Sequence, residues 1–137
     1  ALLGEAIVIN NPELQENFRR HLKQRGALLA KGRILGVQFL ELFKDDLFFD
    51  LAKHANETAH KLARGIKELG FEFLTDSTTN QIFPIFPNSL IEKLKEIYGF
   101  YMWSKVDSEN SSVRLVTSWT TKEEAVEEFL SDLKSLK

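Results

Sequence analysis

Apolar and polar positions follow two rhythms along this chain, and the change falls at Gly70. Before it, apolar residues mostly recur every three or four positions. After it, short alternating runs are interleaved with helical ones. Near the start, Glu5–Ile9 (EAIVI) is nearly continuous in apolar, β-prone residues, which predicts a short buried strand. Asn10-Asn11-Pro12 ends it and opens a helix, with Asn11 as N-cap and Pro12 at the first helical position. Leu14, Phe18 and Leu22 line one face of that helix, and Gly26 suits its stop. The next stretch, ALLAKGRILGVQFLELF (27–43), is apolar nearly all round. Such a helix is buried on several sides or at a subunit interface, and Gly32 with Gly36 permits another backbone to come close. Asp45 or Asp46 then caps a long helix with the stripe Leu47, Leu51, Ala55, Leu62, Ile66 and Leu69, stopped by Gly70.

After Gly70, Phe71–Thr75 and Gln81–Phe86 read as two strands joined by the polar turn DSTTN. Pro84 marks the second as an edge strand or a bulged one. Asn88 caps a helix carrying Leu90, Ile91, Leu94 and Ile97 and closed by Gly99. Phe100–Lys105 and Val113–Trp119 read as further strands around the loop DSENSS. Thr121-x-x-Glu124 forms a capping box for a last helix with Ala125, Val126, Phe129, Leu130 and Leu133 inward. The order ββαββα builds a small, mostly antiparallel sheet with helices on one face. The fold class expected is therefore α/β in the α+β sense, a helical N-terminal half with one strand followed by the ββαββα unit. The first strand finds no partner in its own neighbourhood, so a sheet outside this sequence is expected to receive it, and Ala1 is not expected to be the natural beginning.

Composition narrows the function classes. The 137 residues suffice for a domain with a real core, and 43% apolar against 28% charged residues describes a globular chain. There is no Cys, hence no disulfide framework, thiolate metal site or Cys nucleophile; this suits a cytoplasmic protein. A net charge of −2 gives no global reason to bind nucleic acid or an anionic membrane, and no apolar run is long enough to span one.

Against that balance, Arg19, Arg20, Lys23, Arg25, Lys31 and Arg33 crowd together with no acid between Glu16 and Glu41. A local positive field of this kind suits an anion, most simply a phosphate, and suits equally the C-terminal end of a helix. Lys31 and Arg33 fall within the apolar stretch, where an unpaired charge is costly; a loose Lys31–Glu41 pair is one outlet. Arg114 lies in a strand of strong β-formers, alternating with Val113, Leu115, Thr117 and Trp119 on the other face. A guanidinium so placed serves either as a fork for a carboxylate or as an edge-strand gatekeeper. His21, His54 and His60 have no metal-ligand spacing and read as structural or solvated. The many Phe residues, at helical and strand spacings, read as core.

Taken in order, ALLGEAIVI, KQRGALLAKGR, TNQIFPIFP, and VRLVTSW with TTKEEAVEEFL resemble the C-terminal part of the low-specificity L-threonine aldolases. These are pyridoxal-phosphate enzymes of fold type I, in the β-eliminating-lyase group. The similarity runs over essentially the whole chain, and it is the order and spacing of the pieces that make it specific. The resemblance implies that residues 1–44 end the cofactor-binding large domain, 45–70 form a connecting helix, and 71–137 form the small C-terminal domain. It implies a lyase, cleaving threonine-like β-hydroxy amino acids to glycine and an aldehyde, that works as a homodimer or homotetramer. In that family the lysine that holds pyridoxal 5'-phosphate precedes a segment like GEAIVI, so no catalytic residue is expected in this chain, and the chain alone is expected to be inactive. The arginine of the VRLVT-like strand binds the substrate carboxylate there, and Arg114 stands at that place. Lys23 and Lys31, with Arg33 as a rival, match the basic residues that reach the cofactor phosphate. The sequence departs from the family in having GALLAKGR where many members have a GGGMRQ-like stretch. Two other readings fit the same pattern: part of an aminotransferase or another β-eliminating lyase of the same fold type, or a free-standing ββαββα interaction module.

Overall fold

Strand β4 (Asn110–Val116) is the element on which the sheet is ordered. On one side it pairs antiparallel with β1 (Gln81–Ile82) and β2 (Ile85–Pro87), two halves of one line. On its other side it pairs antiparallel with β3 (Tyr101–Lys105). The computed structural model describes residues 3–137. They divide into two compact units, one ending at Phe49 and the other running Asp50–Lys137.

In the second unit the sheet carries its helices on one face, as expected: α4 (Leu47–Glu68), α5 (Asn88–Lys95) and α6 (Glu123–Leu136). Alternation decides which face they cover. Val113, Leu115 and Thr117 of one parity are buried, and Arg114 and Val116 of the other are not. Leu62 and Ile66 of α4, Ile91 and Leu94 of α5, and Phe129 and Leu133 of α6 close over Ile82, Phe86 and Val113. Phe71 meets Phe86 edge to face, with ring centroids 4.9 Å apart. Lys61 of α4 holds both Glu123 and Glu127 of α6, at 2.8 and 2.9 Å. Gly65 lies where α6 crosses α4, and a Cβ there would run into the methyl groups of Leu130.

Several local expectations need correction. Phe71–Thr75 forms a single bridge, Phe73 to Pro84, rather than a regular strand. It is still tied beside the β1–β2 line by Leu74 N–H to Phe83 O (2.9 Å) and Ile85 N–H to Glu72 O (2.8 Å). Pro84 does not mark an edge: it is fully buried and splits the line into β1 and β2, because its nitrogen has no proton for the ladder. β4 begins at Asn110 and ends at Val116, earlier than Val113–Trp119, and Trp119 is exposed. Asn88 is not a cap but the first residue of α5; its side chain donates to Ser108 O (3.2 Å) and accepts from Ser111 Oγ (2.7 Å). The capping box does not form, since Thr121 Oγ1 accepts instead from Ser118 N–H (2.8 Å), and Ala125 is exposed.

The first unit departs further. Glu5–Ile9 is not a strand: it joins no β-ladder among the described residues, and Val8 is 84% exposed. The expected helix after Pro12 is two, α1 (Pro12–Gln15) and α2 (Phe18–Gln24), broken at Asn17, whose φ of 56° is left-handed. Asn11 does cap α1, accepting from Glu13 N–H at 3.0 Å, and Gly26 takes the positive φ (71°) expected of a stop. The apolar stretch 27–43 is helical only as α3 (Arg33–Leu42). Asp45 and Asp46 do not cap from extended backbone; both have positive φ, in a 3-10 turn (Lys44–Asp46) ahead of α4. No described residue of this unit is buried, and Ile34, Val37 and Leu40 of α3 lie exposed, so among the described residues the helix is not covered on several sides. Among the described residues no helix is long and apolar enough to cross a membrane.

Candidate functional site

Arg114 sits on the uncovered face of the sheet because its parity in β4 is opposite to Val113 and Leu115. Antiparallel pairing sets Tyr101 of β3 directly across from it. The guanidinium carbon lies 5.1 Å from the centroid of the Tyr101 ring and 5.6 Å from that of Trp103. Trp103 in turn packs on Phe83, with centroids 5.0 Å apart. No carboxylate pairs with Arg114 among the described ion pairs. Its Nε is enclosed and without a hydrogen-bond partner. A buried N–H left unsatisfied is costly, so an orphaned guanidinium nitrogen calls for an acceptor that the described residues do not supply.

Room for one lies beside it. β3 begins opposite Arg114, while β4 continues to Val116. An open cavity of about 620 Å³ lies there, lined by Arg114, Tyr101, Leu115, Thr117, Val126 and Phe129 among others. The lining is mostly apolar, and Arg114 is the one cationic residue in it. Thr117 is committed elsewhere: its hydroxyl donates to Ala55 O at 2.6 Å and so anchors the residue just after β4 to α4. Tyr98, also in the lining, donates its hydroxyl proton to Asp132 at 2.7 Å.

The basic residues belong to the other unit. Lys23 lies in the last turn of α2, Lys31 in the turn before α3, and Arg33 is the first residue of α3. All three are exposed. The expectation that Lys31 and Arg33 lie inside an apolar helix is therefore corrected, and no ion pair joins Lys31 to Glu41. Each cation of the run is unneutralised among the described ion pairs. Of the histidines, His54 contacts Thr121 O through Nε2 at 2.9 Å, and no group of described residues could hold a metal ion. Sequence reasoning passed over Tyr101 and Trp103, which are not core; the signal available was the Tyr-x-Trp spacing in the strand that pairs with Arg114.

No family-wide sequence profile matches the chain. Over 98% of its length it is 29% identical to a low specificity L-threonine aldolase of a Pseudomonas species. Over 96% it is 29% identical to the enzyme of that name from Pseudomonas aeruginosa. It spans 38% of the length of each. Among solved structures, a threonine aldolase of Leishmania major is 41% identical and superposes on 90% of this chain with a TM-score of 0.84, the chain spanning 36% of it. A serine palmitoyltransferase of Sphingomonas wittichii shares the fold alone, at 16% identity over 61% of the chain (TM-score 0.52), with 23% of that protein covered.

Proposed function

We propose that this chain is the C-terminal part of a pyridoxal-phosphate-dependent aldolase that cleaves threonine-like β-hydroxy amino acids to glycine and an aldehyde. The observation that carries the reading is the unpartnered Arg114 fork, on a chain similar to threonine aldolases over nearly all its length. In this reading Arg114 receives the substrate's α-carboxylate. The terminal N–H groups of its guanidinium are the donors offered to the carboxylate, and a charge-assisted pair of this kind fixes orientation as well as affinity. Holding the carboxylate orients the bond between Cα and Cβ, which is the contribution this chain's own residues make to the reaction. Lys23, Lys31 and Arg33 are the groups assigned to the cofactor's phosphate. Their charges are unneutralised and exposed, which fits a dianion. The chemistry supplied by pyridoxal phosphate, when bound, is an electron sink at the substrate's Cα.

The exposed apolar face of α3 supports a larger assembly: Ile34, Val37 and Leu40 have no cover among the described residues. A homodimer or homotetramer of the longer chain, in the cytoplasm, is the state proposed.

The test is the natural protein that contains this chain, supplied with L-threonine and pyridoxal phosphate and assayed for glycine and acetaldehyde. Cleavage is expected. Arg114→Ala is expected to raise KM for threonine about 10- to 100-fold, the size of a lost hydrogen bond to a charged group. Arg114→Lys recovers only part of this, because an ammonium cannot reproduce the fork. Absence of aldehyde from the parent, or an Arg114→Ala variant indistinguishable from it, would sink the reading.

A further inference from the structure

The pairing of β3 with β4 is regular at Tyr101–Arg114 and Met102–Val113, then shifts so that Ser104 faces Ser112. Trp103 is the extra residue of a β-bulge. The Trp103 indole lies against both Phe83 and the Arg114 guanidinium. Bulges cost ladder hydrogen bonds and recur beside functional sites, where they redirect a side chain. Here the Trp103 ring completes a seat that Tyr101 begins. Both rings lie within the range of a cation–π contact, yet Tyr101 is 70% exposed and Trp103 52%. Two large aromatic side chains left in water on an otherwise uncovered sheet face add little to the core. Both reach the cation.

The geometry points to Tyr101 and Trp103 as positioning residues, an aromatic seat that holds the Arg114 fork in the orientation that receives a carboxylate. This rests on the carboxylate role of Arg114 given above. The long arginine side chain otherwise loses rotamer freedom whenever it binds. Rings packed against the guanidinium restrict it beforehand and leave its terminal N–H groups for the ligand. The rings, rather than the tyrosine hydroxyl or the indole N–H, supply the effect, so phenylalanine should replace either.

The experiment is equilibrium binding of glycine and of glycinamide to the natural protein containing this chain, by titration calorimetry, with KM and kcat for L-threonine in parallel. The parent is expected to bind glycine more tightly than glycinamide. Tyr101→Ala and Trp103→Ala should each weaken glycine about 5- to 20-fold and leave glycinamide within about twofold. Both should raise KM with kcat nearly unchanged. Tyr101→Phe and Trp103→Phe should stay within about twofold of the parent. If the parent discriminates while both alanine variants match it, the seat is overturned and Arg114 keeps its role. Equal weakening of glycine and glycinamide would mean a merely structural effect and would also overturn it. A parent that does not discriminate removes the carboxylate role of Arg114, and the seat with it.

Discussion

Tyr98 is held where a phenol resists ionisation. Burial, then the hydrogen bond to the Asp132 carboxylate, push its pKa up to about 12. An unfolded tyrosine titrates near pH ~10. Below that value both states keep the proton and the stabilisation is fully present. Between about pH 10 and about 12 the unfolded chain gives up a proton that the native chain retains, so stability falls as pH rises. The urea midpoint of the parent should drop more steeply across that window than the midpoint of Tyr98→Phe; parallel curves would contradict the assignment. Arg114 and Tyr98 also show what a single residue discloses in a sequence. The parity of Arg114 in VRLVTSW was legible, because alternation along a strand is a local property. Its freedom from any acid was not, since that depends on which strands lie beside it. The aromatic partners were hidden for the same reason: Tyr101 and Trp103 meet Arg114 only through the pairing of β3 with β4.

At the scale of elements, the β3–β4 hairpin depends on the turn that joins its strands. The Asp107 carboxylate accepts from Asn110 Nδ2 and from the backbone N–H groups of Glu109 (2.7 Å) and Asn110 (2.8 Å). The Asn110 side chain first, then those two amides, hold Asp107 below its usual range. A lowered carboxylate stabilises the fold above its unfolded pKa, and that contribution is lost as pH falls through the native value. Asp107→Ala should lower the thermal midpoint at neutral pH and narrow the difference from the parent in acid. Asp107→Asn, which keeps an acceptor oxygen, should lose less. Long periodic elements such as α4 and α6 were plain in the sequence, as was the stop at Gly70. Short ones were misjudged where side chains found different partners. Thr121 turned back to Ser118 instead of capping α6, Asn88 braced the hairpin instead of capping α5, and Pro84 cut one strand into two.

At the scale of the whole molecule the two units differ in kind. The second has a continuous core that local apolar rhythm foretold, and Phe86 lies at its centre, fully buried. Phe86→Ala should cost about 3–5 kcal/mol in denaturant unfolding, and a loss under ~1 kcal/mol would mean the sheet is not packed as described. The first unit gave strand and helix signals whose partners are not among the described residues, so Glu5–Ile9 remained unpaired and α3 uncovered. The central place of β4 also bears on how the molecule is made. The IFPIF stretch leaves the ribosome before the strand it pairs with, and at about 5–20 residues per second it waits a few seconds for Asn110–Val116 to follow. During that interval an apolar strand with open edges is exposed to every other nascent chain. Pro84 and Pro87, which have no N–H to offer, spoil it as a template for foreign strands while leaving it able to dock on its own.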